Sequence, residues 1–174
     1  NVVCESEGNK LWIASEKGVY TLDKNNGQIS FAGPDPRMGT LNASDICCSN
    51  GRDVWVGGSS GLWHIEASTG EFTPILMDGN PIEWVSSICE DAEGYLWVCS
   101  CEHGLYRYDT KTFSFRKYSE DRLYWSNVAY KDLKGRLWVG TWGKGLLRID
   151  APHGPGNLFC TVYFNTPEAG SLLD

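Results

Sequence analysis

A tryptophan recurs at Trp12, Trp55, Trp97 and Trp138, at spacings of 43, 42 and 41 residues. Each sits in a similar pentapeptide: LWIAS, VWVGG, LWVCS and LWVGT. Self-similarity at a fixed period means repeated supersecondary units, none of which buries its apolar surface alone. More of the unit recurs around each tryptophan. A glycine followed by two apolar residues comes six or seven positions later, in GVYTLD, GLWHIE, GLYRYD and GLLRID. Upstream, VVCESEGN, DICCSNGR, SICEDAEG and VAYKDLKG lead in through Gly or Asn turn chemistry. Downstream lie QISF, EFTPI, FSFRKY and LFCTVYF.

The unit reads as four short strands rich in aromatic and β-branched residues, divided by turns, with no run at helical apolar spacing. Neighbouring residues of a strand point to opposite faces, yet Leu96, Trp97 and Val98 are all apolar, so both faces of this strand are dry. Sheets stacked face to face meet that demand. Four-stranded antiparallel meanders repeating at about 42 residues and packed radially are the blades of an all-β propeller. The expected organisation is a single partial propeller over residues 1–174, with repeats at about 1–42, 43–84, 85–125 and 126–174.

An open stack leaves its terminal blades with bare apolar faces. The chain begins at Asn1 rather than Met, with NVVCES, and stops after NTPEAGSLLD, two halves of one blade-to-blade connection. The expectation is whole repeats drawn from a longer array. Its ring would be completed by adjoining blades or by a second copy of the chain, two copies giving eight blades, so a homodimer is expected.

A formal charge of -7, from 22 acidic and 15 basic residues with no basic run, argues against nucleic acid as a partner. The longest apolar runs fall short of the roughly 18 residues of a spanning helix, so no membrane contact by this segment is expected.

Seven cysteines invite a metal or disulfide reading. Cys4, Cys47 and Cys89 each stand eight positions before their tryptophan, where the fourth repeat has Tyr130. They read as packed core thiols, since equivalent sites on different blades are expected to exceed disulfide reach. Cys99 aligns with Ala14, Gly57 and Gly140, and Cys101 with Glu16, Ser59 and Trp142, so neither belongs to a repeated ligand set. Same-face strand neighbours are also roughly 6.6 Å apart, too wide for two thiolates on one zinc. No metal and no cofactor are expected.

The strand numbering sorts the loops into two ends. One carries the tight polar turns SEGN, DAEG, DLKG, KNNG and ASTG, where Asp91 and Asp132 read as turn formers rather than a catalytic pair. The other carries FAGPDPRMGTLNAS, LMDGNPIEW and SEDRLYWSN, which place Trp84 and Trp125 each 13 positions before their blade tryptophan. Trp142 and His103 lie in the shorter loops of that end. Loops on a rigid scaffold carry function, and indole faces suit stacking on sugar rings or a partner protein. Trp84, Trp125, Trp142 and His103 are therefore candidate ligand-binding residues, with packing staples the other reading of Trp84 and Trp125. No Ser/His/Asp order, phosphate cradle or nucleophile elbow is present, and no catalytic residues are assigned.

The unit ICEDAEGYLWVCSCEHGLYRYDTKTFSFRKY, followed by LKGRLWVGTWGKGLLRID, resembles the two-component regulator propeller repeat. Asp132, Gly135, Leu137, Trp138, Val139, Gly140, Thr141, Gly145, Leu146 and Asp150 all fit its pattern. Repeats one and two depart from it, with Ser6 and Ser49 at the Asp site and Glu66 at the last Asp of repeat two. The resemblance implies part of the periplasmic sensor region of a Bacteroidetes hybrid histidine kinase, a module without chemistry of its own that senses glycan-derived ligands, with an oligosaccharide as the expected partner. A propeller enzyme, lyase or glycoside-active, and a purely structural interaction ring are the alternatives.

Overall fold

The computed structural model describes residues 2–33, 42–49, 51–118, 121–151 and 159–163. The greater part of the first blade-to-blade connection, His153 and the NTPEAGSLLD terminus lie outside them. Four antiparallel sheets follow one another along the chain, and in each, consecutive strands are hydrogen-bonded neighbours. Blade 1 is β1 (Val2–Ser6), β2 (Lys10–Ser15), β3 (Gly18–Asp23) and β4 (Ile29–Gly33). Blade 2 is β5 (Ala43–Ser49), β6 (Asp53–Gly58), β7 (Gly61–Glu66) and β8 (Phe72–Met77), to whose edge a short β9 (Asn80–Pro81) adds a fifth strand. Blade 3 is β10 (Val85–Glu90), β11 (Tyr95–Ser100), β12 (Gly104–Asp109) and β13 (Ser114–Tyr118). Blade 4 is β14 (Ser126–Lys131), β15 (Leu137–Thr141), β16 (Gly145–Ala151) and β17 (Phe159–Tyr163).

The sequence period is a period of register. Cys4, Trp12 and Thr21 stand side by side across the first three strands of blade 1. Cys47, Trp55 and His64 do so in blade 2, Cys89, Trp97 and Arg107 in blade 3, and Tyr130, Trp138 and Arg148 in blade 4. The first strands of adjoining sheets lie against each other, which puts them at the axis and the fourth strands at the rim.

Each seam between blades joins the tryptophan face of one sheet to the opposite face of the next. Trp12, Ala14 and Val19 pack on Ile46, Val54, Val56 and Ile65 of blade 2. Trp55 and Leu62 pack on Ile88, Leu96, Val98 and Tyr108 of blade 3. Trp97, Cys99 and Leu105 pack on Ala129, Leu137, Val139 and Leu147 of blade 4. Burying such side chains on both faces of a sheet is worth about 1.5–3 kcal/mol each, which is why no blade stands alone. Trp138 is only half-buried, because among the described residues no sheet covers its face. Val128 and Tyr130 on that face, and Val3, Ile29 and Phe31 on the opposite face of blade 1, are exposed.

One expectation is corrected at the axis. Cys4 is not a free thiol: it forms a disulfide with Cys48, at a Cα separation of 5.7 Å. The inner strands of adjoining blades are staggered by one residue, so Cys4 meets not its counterpart Cys47 but the residue after it. The same stagger sets the Glu90 main chain against the Cys47 sulfur and the Lys131 main chain against Cys89.

The glycines that open the third strands, Gly18, Gly61, Gly104 and Gly145, all have positive φ, between 87° and 117°. At Gly104 a Cβ would also stand 3.0 Å from the Tyr118 carbonyl oxygen, so both conformation and space demand glycine there.

Candidate functional site

The two ends of the blade stack divide their work. At the tight-turn end, aspartates organise hairpins. Asp91 Oδ1 accepts from the Glu93 and Tyr95 N–H groups at 2.9 and 3.0 Å, while its Oδ2 accepts from Trp97 Nε1 at 2.9 Å. Asp132 repeats this with Lys134 N, Arg136 N and Trp138 Nε1, each at 2.9 Å. The Trp138 N–H, ahead of the Arg136 contacts, holds the Asp132 carboxyl well below the usual carboxylate range. Ser6 Oγ takes the same part for Trp12 at 3.0 Å. Ser49 instead donates to Glu90 of the next blade at 2.7 Å, and the buried Trp55 Nε1 has no hydrogen-bond partner among the described residues. These groups hold structure. His64 also lies at this end, 2.7 Å from Asp53, in a cleft of about 650 Å³ with Glu7, Arg52 and Glu66.

The opposite end presents side chains outward. Trp84 and Trp125 have φ of 55° and 64°, a left-handed conformation uncommon for bulky residues and sustained only where the surroundings fix it. The fixing groups are on the main chain. The Trp84 carbonyl accepts from Cys101 N at 3.2 Å, and the Trp125 carbonyl from Trp142 N at 3.0 Å. Asn42 does the same for Ser59 N in blade 2, at 3.2 Å. The residues just before are tied too: Ser100 Oγ donates to the Glu83 carbonyl at 2.9 Å and Ser126 Oγ to the Leu123 carbonyl at 2.6 Å, with Leu123 fully buried. The main chain is pinned and the indoles are left free.

Trp84 is 51% and Trp125 40% exposed, and the tie each makes to the neighbouring turn runs through its main-chain carbonyl. Trp142, 75% exposed, is bonded through its main chain to Trp125. Trp84 is likewise bonded to the turn holding Cys101 and His103. The Cys101 thiol donates to Asn127 Oδ1 at 3.6 Å, linking that turn of blade 3 to the inner strand of blade 4. These bonds set the three tryptophans at one end of the seam between blades 3 and 4. His103, half-buried in its turn, makes no side-chain hydrogen bond or ion pair among the described residues.

Two contributors escaped the sequence reading. Tyr124, 47% exposed, meets Trp125 edge to face with ring centroids 5.5 Å apart. Asn127 clamps the adjoining turn. The run LYWSN held the signal: a buried Leu123 turns Tyr124 outward, beside the tryptophan that drew attention. Cys99 and Cys101 part company, Cys99 in the seam core with its thiol pushed up by burial, Cys101 in the turn. Among the described residues no group of three or more His, Cys, Asp or Glu side chains is placed to hold a metal ion. This end of the blades presents Trp84, Tyr124, Trp125 and Trp142 as large, exposed aromatic residues.

Residues 79–102, which run through β10 and β11 to the Cys101 turn, match the family model described as two component regulator propeller. No curated protein matches the sequence. Among solved structures the chain is similar to the extracellular domain of a B. thetaiotaomicron protein described as a hybrid two component system, with TM-score 0.74 and 21% identity over 99% of this chain and 23% of that one. It is similar to virginiamycin B lyase from Staphylococcus aureus, TM-score 0.74 and 16% identity over 97% of this chain and 56% of that one. An auxiliary nutrient binding protein from Bacteroides thetaiotaomicron has TM-score 0.70 and 13% identity over 92% and 40% of the two chains. The chain therefore spans 23% of that extracellular domain and about half the length of the other two. At these identities the likeness is one of fold, the β-propeller, and the match to the two component regulator propeller model is to residues 79–102.

Proposed function

We propose that this chain is a non-catalytic propeller segment of the extracytoplasmic region of a two-component sensor, and that it contacts its ligand through the aromatic surface of Trp84, Tyr124, Trp125 and Trp142. One observation carries the reading: four large aromatic side chains stand 40–75% exposed at one end of the blades, on a backbone held in place by main-chain hydrogen bonds. Apolar area of that kind, rimmed by polar groups, marks an interaction site. Indoles on a fixed main chain have only their side-chain rotations left to order against a sugar face, so an oligosaccharide is the ligand class they suit best. Because the surface crosses from blade 3 to blade 4, an occupant bridging it alters how the two blades pack, which is the change a sensor transmits. A disulfide at the axis agrees with an oxidising, extracytoplasmic setting. Among the described residues no helix is long and apolar enough to cross a membrane.

Titration of the protein with a panel of neutral oligosaccharides, followed by tryptophan fluorescence, tests this. Binding of at least one sugar is expected, weakened roughly tenfold by Trp84→Ala or Trp125→Ala, about 1.4 kcal/mol each, with no turnover of the sugar. A panel that leaves the fluorescence unmoved, or binding indifferent to both substitutions, refutes it.

A further inference from the structure

The three seams are alike in their apolar packing but not in what ties them at the axis. Between blades 2 and 3, Asp45 Oδ2 accepts from Ile88 N at 2.7 Å. Between blades 3 and 4, Ser87 Oγ accepts from Ala129 N at 3.3 Å, and Ser86 Oγ donates to the Ser126 carbonyl at 3.4 Å. Asp45 and Ser87 share one repeat position, as do Ile88 and Ala129, so each bond is the same clip: a side chain of one inner strand caps a main-chain N–H of the next. The first strand has Val2 at the clip position, with nothing to accept. The corresponding donor on blade 2, Ile46 N, turns back to its own neighbour, bonding Asp45 Oδ1 at 2.8 Å. At this seam the Cys4–Cys48 disulfide stands in for the clip. Among the described residues the remaining polar ties there lie at the tight-turn end: Glu7 N to the Gly51 carbonyl at 2.8 Å, and an exposed Arg52–Glu7 pair at 3.6 Å.

The geometry points to a redox-set latch: the Cys4–Cys48 bond fixes the axial end of the blade 1–blade 2 seam, and its reduction by a dithiol frees that end while the clipped seams hold. Both cysteines are half-buried and line the open axial groove of about 560 Å³ alongside Asp45, Cys47 and Cys89, a groove wide enough to admit a small dithiol. The exchange balances. The dithiol gives two electrons and two protons, the S–S bond becomes the Cys4 and Cys48 thiols, and the dithiol closes to its own disulfide. Blade 1 is not lost, because Trp12, Ala14 and Val19 remain packed on blade 2; β1 loses its anchor.

The test is amide hydrogen exchange on the intact protein with and without dithiothreitol. Exchange in 2–6 and 43–49 is expected to rise at least tenfold on reduction, while 85–90 and 126–131 stay unchanged. A Cys4→Ser, Cys48→Ser double variant should show the fast pattern without reductant and ignore its addition. Val2→Asp, which installs the missing acceptor, should restore protection to the reduced protein. Under denaturing, non-reducing conditions, alkylation should label the five cysteines outside the Cys4–Cys48 bond, Cys47, Cys89, Cys99, Cys101 and Cys160. Labelling of all seven, a rise in exchange spread evenly over the three seams, or no rise at all overturns the latch. The wild-type arm needs no substitution, so a variant that fails to fold does not shield the idea.

Discussion

Replacing Asp91 by Ala removes every partner that one carboxylate supplies at the tight-turn end of blade 3. Two main-chain N–H groups lose their acceptor, and since water reaches that turn their loss costs about 1 kcal/mol together. Trp97 is fully buried, so its Nε1, now bonded at 2.9 Å, is left as an unsatisfied buried donor, a penalty of about 1–3 kcal/mol. Arg107, whose side chain is only 11% exposed and stacks on Tyr95 with its guanidinium carbon 3.5 Å from the ring centroid, keeps Glu93 but loses Asp91. With about 1 kcal/mol more for the lost Arg107–Asp91 pair, the sum is a loss of about 3–5 kcal/mol, a large part of the 5–15 kcal/mol that holds most domains folded. Asp91→Ser should cost about half as much, because Ser6 shows that a hydroxyl at this site reaches the indole N–H at 3.0 Å. Urea denaturation followed by tryptophan fluorescence reads both. With a slope of about 2 kcal/mol per molar, the Ala variant shifts the midpoint by about 2 M and the Ser variant by about 1 M. Equal shifts for the two, or a shift under about 0.5 M for Ala, would show that the indole bond does not organise the repeat.

Two further outcomes follow from the same chemistry. The Asp132 carboxyl is held below its unfolded value, so the stability it confers is present above a pH of about 4 and is lost as pH falls toward the folded value; Asp132→Asn should therefore flatten the acid limb of the denaturation midpoint plotted from about pH 6 to 2, and an unchanged limb refutes this. The bare faces of blades 1 and 4 should make the chain self-associate at micromolar concentration in sedimentation, with Tyr130→Glu returning it toward monomer, and a monodisperse wild-type monomer would sink that expectation.

What the sequence disclosed, and what it hid, divide along a physical line. The blades were legible because the tryptophan site is a seam site in every repeat, and burial at a repeated place selects the same residue type each time. The turn aspartates were legible because Asx chemistry is local, reaching two to four residues ahead. The disulfide was not: aligning repeats compares equivalent positions, whereas seams join position to position plus one, so Cys4 matches Cys47 in the alignment and bonds Cys48 in space. β9 was hidden because two residues of pairing leave no pattern. Tyr124 was passed over because an aromatic in an irregular loop has no period, and only its outward side chain, opposite a buried Leu123, reveals it.

The stagger also explains the doublet Cys47-Cys48. Neighbours on a strand face opposite ways, so the pair is two half-contacts on different seams, Cys48 toward blade 1 and Cys47 toward blade 3. Every inner strand carries such a doublet, and its second residue answers the first residue of the preceding blade: Cys48 answers Cys4, Glu90 answers Cys47, Lys131 answers Cys89. Applied to the uncovered face of blade 4, the rule sets Tyr130 at the contact position and Val128 at the clip position, both exposed. Val128 accepts no hydrogen bond, so, as at the first seam, a polar clip cannot form there. Whatever sheet covers this face must hold by apolar contact with Val128, Tyr130 and Trp138, or bring its own bond at the axis, as Cys48 does for Cys4.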